Sequence, residues 1–392
     1  MKKIIIVNNN MKVGGVQKSL YNLLHTIQNE YDITLLLFSG RGEYTDQLPD
    51  SVKVVECKSL FRYLGVSQGE CSKNKIDSLK RGVLAVISKL FGRKFAIRLM
   101  LMGQPMLKES YDCAIAYLHN GNPKSFYGGV QDFVLHRIRA NRKIAFLHCD
   151  YRNCGANHKD NNRLIEKFDQ IAACSDGCRL AFEEVLPHLK EKCITVRNCH
   201  RLEEIRAMAE DDPVVYDPHR YNLVMVSRLS HEKGIERALE AVACAVKRSI
   251  PLTLHIVGEG AMRASLEAKV RDLGMESTVR FYGEQSNPYR YIKNADLFLL
   301  TSYHEAAPMV IEEARALGVP VLTTRTTSSE DMVNKLQSGW VCENTQDALN
   351  QGVANVLSAP EDLRKMTDRL RKEMQSMNNT EAMRAFDTLI GS

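Results

Sequence analysis

Residues 296–323 have the sequence DLFLLTSYHEAAPMVIEEARALGVPVLT, and this stretch decides the fold class. It begins with a short apolar run, Asp296–Thr301, which predicts a buried strand. A polar loop and a predicted helix over Val310–Leu317 follow, and a second apolar run over Val319–Thr323 predicts the next strand. A strand, a helix and a further strand in this order indicate a parallel sheet covered by helices.

Short apolar runs alternate with helical stretches along the whole chain, so we predict the α/β class. The chain has 392 residues, which exceeds one ordinary core and suits two domains. Further predicted strands are Ile4–Val7, Ile33–Phe38, Val52–Glu56, Asp112–Tyr117, Lys143–Leu147, Gln170–Cys174, Cys193–Val196, Leu223–Ser227, Leu252–Val257, Val279–Tyr282 and Trp340–Cys342. A polar, proline-bearing stretch over 198–221 predicts the boundary between the domains, near residue 200.

The composition is that of a globular protein, with 44% hydrophobic and 26% charged residues and a net charge of +6. Basic residues gather between Lys73 and Lys108, where apolar residues interleave with them at helical spacing. Two interpretations stand: a basic amphipathic helix on an anionic membrane surface, or a helix packed on its own domain with a solvated basic face. The small charge excess disfavours nucleic-acid binding.

The eleven cysteines have irregular spacings, their number is odd, and no Cys-x-x-Cys pair occurs. This pattern predicts free thiols in a reducing cytoplasm. Cys174 and Cys178 could share one helix face and bind a metal, but packing as small hydrophobes is the favoured interpretation. No apolar run reaches the ~18 residues that a membrane-spanning helix needs.

Two carboxylates in the quoted stretch stand where a parallel sheet binds ligands. Glu305 follows the strand directly and lies on the loop beyond its carboxyl end, and Glu313 lies in the early turns of the next helix. Free N–H groups at the start of that helix, at Met309 and Val310 just after Pro308, suit a phosphate, so all three positions are candidates for binding a phosphate-bearing ligand. The alternative is a pair of solvated glutamates that the helix dipole alone favours.

Two further loops carry matching chemistry. Arg228 ends a predicted strand and Lys233 precedes the next helix, so both cations can converge on a diphosphate. Gly14 and Gly15 follow the first strand, where glycine lets the backbone approach a ligand closely. This loop lacks the G-x-G-x-x-G pattern of dinucleotide binding, which disfavours NAD. Surface basic residues and an ordinary glycine turn are the alternatives.

Together these patterns resemble the retaining glycosyltransferases of family 4, which have the GT-B fold. The resemblance covers nearly the whole chain and rests on three motifs: Gly14-Gly15, Arg228…Lys233-Gly234 and Glu305-x7-Glu313. It implies two Rossmann-like domains whose parallel sheets face an interdomain cleft. It also implies an acceptor-binding domain over residues 1–200, a nucleotide-sugar-binding domain over 201–376, and a C-terminal helix over 377–392 that returns to the first domain.

The resemblance assigns roles to individual residues. Arg228 and Lys233 would hold the donor's diphosphate, Glu305 would contact the transferred sugar, and Glu313 the ribose hydroxyls. The loop at 14–15 would approach the phosphates and the acceptor. In the first domain, His148 matches a family histidine near the sugar, and His119 is a candidate for the acceptor side. Both histidines also fit an ordinary structural role at a strand end.

The function that follows is a retaining glycosyltransferase that moves a sugar from a UDP- or GDP-sugar to a glycan or lipid-linked acceptor in bacterial surface polysaccharide synthesis. No Asp-x-Asp triplet occurs, so we expect neither a metal nor a cofactor. We expect a cytoplasmic protein, with a peripheral position on the inner face of the cell membrane if residues 73–108 meet lipid. The rival functions are a nucleotide-sugar epimerase with the same fold and a non-catalytic partner in glycan assembly.

Overall fold

The computed structural model describes residues 1–72 and 74–391. Lys73, in the predicted basic stretch, and Ser392, in the predicted last segment, lie outside these residues. The chain forms two compact units, with boundaries after Cys199 and after Asn378. The sequence places these boundaries after residues 200 and 376. Residues 379–391 belong to the first unit.

The first unit contains a parallel seven-stranded sheet with the order β3-β2-β1-β4-β5-β6-β7. Its strands are β1 (Lys2–Asn8), β2 (Tyr31–Leu37), β3 (Lys53–Glu56), β4 (Ser110–Ala116), β5 (Arg139–Leu147), β6 (Gln170–Ala173) and β7 (Cys193–Thr195). Its helices before Cys199 are α1 (Gly15–Ile27), α2 (Gln68–Cys71), α3 (Lys75–Phe91), α4 (Arg93–Met102), α5 (Val130–Arg137), α6 (Lys159–Ile165) and α7 (Asp176–Val185). The strand order reverses between β1 and β4, so the loops after these two strands flank the crevice in which such sheets bind ligands.

The second unit contains a parallel six-stranded sheet with the order β10-β9-β8-β11-β12-β13. Its strands are β8 (Tyr221–Val226), β9 (Leu252–Val257), β10 (Val279–Phe281), β11 (Leu297–Leu300), β12 (Val321–Thr324) and β13 (Gly339–Cys342). Its helices are α8 (Leu202–Glu210), α9 (Ile235–Lys247), α10 (Arg263–Asp272), α11 (Tyr289–Ile292), α12 (Met309–Ala316), α13 (Gln346–Leu357) and α14 (Pro360–Glu373). Here the order reverses between β8 and β11, again a switch point for ligand binding.

Central strands of both sheets are apolar throughout because helices cover both of their faces. In β1, all four residues over 4–7 have 0% exposure, and so do most residues of β11. The last helix, α15 (Thr380–Ile390), buries Phe386 and Leu389 in the core of the first unit. These contacts explain why a segment at the end of the chain belongs with the first unit.

Helices α2, α5 and α8 lie where the sequence predicted none. Helix α5 buries Val130, Phe133 and Val134 in the first unit, at the i, i+3, i+4 spacing of a helix face. Helix α8 lies in the stretch 198–221 that the sequence predicted to be a domain boundary. One side of this helix is buried, at Ile205 and Ala209. The acidic residues at 210–212 that suggested a linker lie at the end of this helix and beyond it.

The basic stretch forms α3 and α4, which Gly92 separates. The apolar side of α3 is exposed: Leu79 and Leu90 are each 69% exposed. Arg93 departs from the expectation of a solvated basic face, because it is 4% exposed and pairs with Asp132 at 2.8 Å. Among residues 1–72 and 74–391, no helix has both the length and the hydropathy that crossing a bilayer requires.

Candidate functional site

The loops after β8 and β11 meet at the switch point of the second sheet. The hydroxyl of Thr301 donates to the carbonyl of Gly234 at 2.8 Å, and the N–H of Tyr303 donates to the carbonyl of Glu232 at 2.9 Å. Gly234 has a φ of 62°, and a Cβ there would lie 2.2 Å from the carbonyl oxygen of Thr301. Only glycine fits this close approach, which therefore fixes the position of Lys233 one residue earlier.

Glu305 and Lys233, which the sequence predicted in one site, form an ion pair. The Nζ of Lys233 lies 2.7 Å from Oε1 of Glu305, and the hydroxyl of Ser302 donates to the same oxygen at 2.6 Å. Thr324 donates in turn to the carbonyl of Ser302 at 2.7 Å. The Glu305 side chain is 10% exposed and that of Lys233 is 25% exposed. The pair is thus held on its buried side while part of each group still faces solvent.

Arg228 lies on the same loop as Lys233 but makes no such pair. Its side chain is exposed, and within the part of the chain that the structure describes no hydrogen bond or ion pair reaches its guanidinium. The backbone beside it is fixed, because the N–H of Leu229 donates to Glu259 at 2.9 Å and its carbonyl accepts from Met262 at 3.1 Å. A free guanidinium on a fixed loop is well suited to receive an anion.

Helix α12 begins at Met309, four residues after Glu305. Pro308 precedes its first residue, Met309, and no side chain caps this end. The N–H groups of the first turn, at Met309 and Val310, therefore point away from the helix without a side-chain partner, which favours an anion there. Glu313 lies about one turn further along and is 1% exposed, so its carboxylate lies inside the unit.

An aromatic and cationic stack supports this edge of the sheet, and the sequence reasoning missed it. The ring of Tyr303 stacks on the ring of His231, with the ring centroids 5.2 Å apart and an interplanar angle of 9°. The guanidinium of Arg237 also lies over the Tyr303 ring, 4.6 Å from its centroid. Arg237 is 5% exposed and donates to Asn344 at 2.7 Å, and Asn344 donates to the carbonyl of Tyr303 at 3.0 Å. The sequence contained one signal for this stack. Arg237 lies on the apolar face of α9, and a buried arginine requires partners.

In the first unit, the Gly14-Gly15 loop lies at the switch point after β1. Gly14 has a φ of 170°, which any residue adopts, and a Cβ there would lie 2.7 Å from Oε1 of Gln17, the end of a flexible side chain that can move away. A Cβ on Gly15 would meet no atom within 4 Å. Neither glycine is therefore required by the protein's own packing, and the space beside Gly15 is open. The side chain of Asn10 holds the loop by donating to the carbonyl of Gly65 at 2.8 Å.

The structure brings His119 and His148 together at the carboxyl ends of β4 and β5. Burial lowers the pKa of His119 to about 4 and that of His148 to about 3, so both imidazoles are neutral at pH 7. The ring of Tyr117 lies 4.7 Å from that of His148 and fixes one side of it. Within residues 1–72 and 74–391, no hydrogen bond reaches Nε2 of His148 or Nδ1 of His119, although both atoms are buried.

Comparison with known proteins shows what these two units are similar to. Residues 211–373 match the family model of glycosyl transferases group 1. This match begins just before β8 and ends with α14, so it contains Arg228, Lys233, Glu305 and Glu313.

Three relatives illustrate the similarity. The GDP-mannose-dependent alpha-(1-6)-phosphatidylinositol dimannoside mannosyltransferase of Mycobacterium tuberculosis is 30% identical over 157 residues, which cover 40% of this chain and 41% of that protein. The N-acetylgalactosamine-N,N'-diacetylbacillosaminyl-diphospho-undecaprenol 4-alpha-N-acetylgalactosaminyltransferase of Campylobacter jejuni is 23% identical over 411 residues, covering 99% of this chain and 96% of that one. The crystal structure of HepE from Anabaena, with UDP and glucose, has a TM-score of 0.67 at 18% identity, covering all of both chains.

The mycobacterial match spans about two fifths of that relative's length, whereas the two others extend over nearly the whole chain. The structural similarity, with two parallel-sheet units, confirms the predicted fold class of two Rossmann-like domains. The similarity to glycosyl transferases group 1 is shown for residues 211–373.

Proposed function

We propose that this chain is a retaining, metal-independent glycosyltransferase that takes a sugar from a UDP- or GDP-sugar. The observation that carries the proposal is the Lys233–Glu305 pair at the switch point of the second sheet, 2.7 Å apart and supported by Ser302. The family match contains this pair, and the three relatives named above are a mannosyltransferase, an N-acetylgalactosaminyltransferase and a protein solved with UDP and glucose.

The donor's diphosphate binds between two cations and a helix end. Arg228 offers a guanidinium that no hydrogen bond or ion pair reaches within the described residues, and Lys233 has three donors, of which Glu305 takes one. The N–H groups at Met309 and Val310 add the positive end of the α12 dipole. The second oxygen of Glu305, which no hydrogen bond reaches within the described residues, accepts from a sugar hydroxyl, and Glu313 serves the ribose.

Charge on the leaving diphosphate is stabilised by these groups, so the transfer requires no metal. Fixed donors aimed at developing charge lower the barrier because they need no reorganisation during the reaction. Removing one donor from such a site lowers kcat by about 10²–10³-fold. We assign acceptor binding to the first unit, which has open space beside Gly15 and a neutral His148 whose Nε2 no hydrogen bond reaches within residues 1–72 and 74–391.

The acceptor is a glycan or a lipid-linked sugar of a bacterial surface polysaccharide. The name of the Campylobacter relative, whose acceptor is a diphospho-undecaprenol, supports a lipid-linked one. Helix α3 supports it independently, because apolar side chains such as Leu79, Val86 and Leu90 are exposed beside basic residues. A surface of this composition docks on anionic lipid by inserting its apolar side chains.

The membrane part of the proposal has its own test. Sedimentation with vesicles containing about one third phosphatidylglycerol should capture the full chain, and the double change Leu79→Asp and Leu90→Asp should release it. Both positions are 69% exposed, so the fold tolerates the change. The matched control is Leu180→Asp on α7, which is 56% exposed outside this helix. Equal capture of all three proteins would contradict docking through α3.

The donor site is tested by thermal-shift measurements with UDP, GDP, ADP and their sugars. We expect stabilisation by one base only, by about 2.7 kcal/mol when the ligand exceeds Kd 100-fold. The stabilisation should survive EDTA and fall in Lys233→Ala, but not in the control Lys247→Ala, since Lys247 is exposed at the end of α9.

Other outcomes of the same experiment contradict specific parts of the proposal. No response to any nucleotide at millimolar concentration would favour a non-catalytic partner in glycan assembly. Binding that EDTA abolishes and Mg²⁺ or Mn²⁺ restores would contradict metal independence. Conversion of the donor to an epimeric nucleotide-sugar without any acceptor would replace the transferase with an epimerase.

A further inference from the structure

A cluster of metal-binding side chains lies in the first unit at the carboxyl ends of β4 and β5. A ring nitrogen of His119 and the sulfur atoms of Cys149 and Cys154 all lie within 4.8 Å of one another. We propose that this cluster binds one Zn²⁺ ion. The proposed transfer reaction assigns no role to either cysteine, so the inference does not depend on it.

The loop that carries the two cysteines is already folded into the required shape. The N–H of Cys154 donates to the carbonyl of Asp150 at 2.9 Å, which closes a tight turn and returns the chain towards Cys149. The guanidinium of Arg152 grips the Asp150 carboxylate through two contacts of 3.1 and 3.0 Å. A second contact from Arg152 to Glu184, at 3.1 Å, fastens this turn to α7. Metal binding therefore has little loop entropy to overcome.

The distances are close to those of a zinc site. Zinc binds sulfur at about 2.3 Å and imidazole nitrogen at about 2.0–2.1 Å, so tetrahedral ligand atoms lie about 3.8 Å apart. The three ligand atoms now lie within 4.8 Å of one another. Side-chain rotations that move them by about 1 Å would give the spacing of a zinc site. Two thiolates and an imidazole favour zinc over magnesium or calcium, which prefer oxygen ligands.

The His119 side chain supplies an independent reason to expect a ligand. Its Nδ1 is buried, and no hydrogen bond reaches it within residues 1–72 and 74–391. Buried polar atoms in native proteins nearly always have a partner. A metal ion bound to the imidazole would give this ring one. Cys149 is buried, while His119 and Cys154 are half-buried, which leaves a path for the ion and a fourth position for water.

The experiment is a zinc titration of the reduced full-length protein against a chromophoric chelator. We expect one Zn²⁺ per chain, with the affinity at least tenfold lower in Cys154→Ser and in His119→Gln. Cys57→Ser is the matched control, because Cys57 is a buried free cysteine after β3, at the opposite edge of the sheet. Cobalt substitution should give a thiolate-to-metal charge-transfer band that weakens in Cys154→Ser, which keeps one thiolate ligand, and is unchanged in Cys57→Ser.

Two results would overturn the proposal. One is the absence of stoichiometric zinc in the reduced protein. The other is an affinity that is the same in the wild type, in Cys154→Ser and in His119→Gln, with circular dichroism showing that the variants are folded. A mass lower by about 2 Da after aerobic purification, together with no zinc uptake after reduction, would identify the cysteines as a disulfide pair instead.

Discussion

The close approach at Gly234 allows a prediction whose size follows from the structure. In Gly234→Ala the new Cβ would lie 2.2 Å from the carbonyl oxygen of Thr301, so the two loops must separate by about 1 Å. The left-handed backbone, with a φ of 62°, adds about 1–2 kcal/mol for a residue with a Cβ. Loss of the 2.8 Å hydrogen bond from Thr301 adds about 0.5–1.5 kcal/mol. We therefore expect the free energy of unfolding to fall by about 1.5–3.5 kcal/mol.

Gly274→Ala is the matched control. Gly274 belongs to the same unit and has a φ of 65°, but a Cβ there would meet no atom within 4 Å. Urea unfolding followed by intrinsic fluorescence should show a loss of about 1–2 kcal/mol in this control and a larger loss in Gly234→Ala. Nucleotide binding should weaken only in Gly234→Ala, since its loop carries Lys233. Equal stability losses in the two variants would refute the loop contact.

Two smaller changes test how charged groups are held. Ser302→Ala removes the 2.6 Å hydrogen bond to Glu305. Donor turnover should therefore fall about tenfold, while the thermal midpoint changes by a few degrees. Unchanged turnover would contradict the role of Ser302 in positioning Glu305. Partial burial raises the pKa of Glu70, but hydrogen bonds from Lys12 and the N–H of Ser67 outweigh it and lower the pKa to about 2. Since this pKa lies below the usual 4.5, the pair stabilises the fold above about pH 4.5 and loses that contribution as the pH falls towards 2. The stability difference between wild type and Lys12→Met should shrink over that range, and a constant difference would exclude the ion pair as its source.

The sequence predicted the strands well because buried parallel strands are short apolar runs that stand out from their surroundings. It missed α5 and α8 for different reasons. Helix α5 has only eight residues and lies between two strong strand signals. In α8 the acidic end at Glu210 and the prolines beyond it dominated the pattern, while Ile205 and Ala209 alone mark its buried side.

The placement of Arg228, Lys233 and Glu305 on loops that follow strands was predictable from the sequence. What was missed depends on contacts between loops that are distant in the chain. Tyr303 and Arg237 meet across two loops, and no local pattern reports their stacking. The same holds for His119 and the two cysteines of the proposed zinc site, because their proximity follows from the pairing of β4 with β5 rather than from residue spacing.

The central claim is that protein cations, with no metal, stabilise the leaving diphosphate. The most direct measurement is nucleotide release from the nucleotide-sugar that the binding screen selects, in EDTA, for the wild type, Arg228→Ala and the exposed control Arg248→Ala. We predict a loss of ~10²–10³ in kcat for Arg228→Ala and near wild-type turnover for the control. Wild-type turnover in Arg228→Ala, with nucleotide binding intact, would contradict the account.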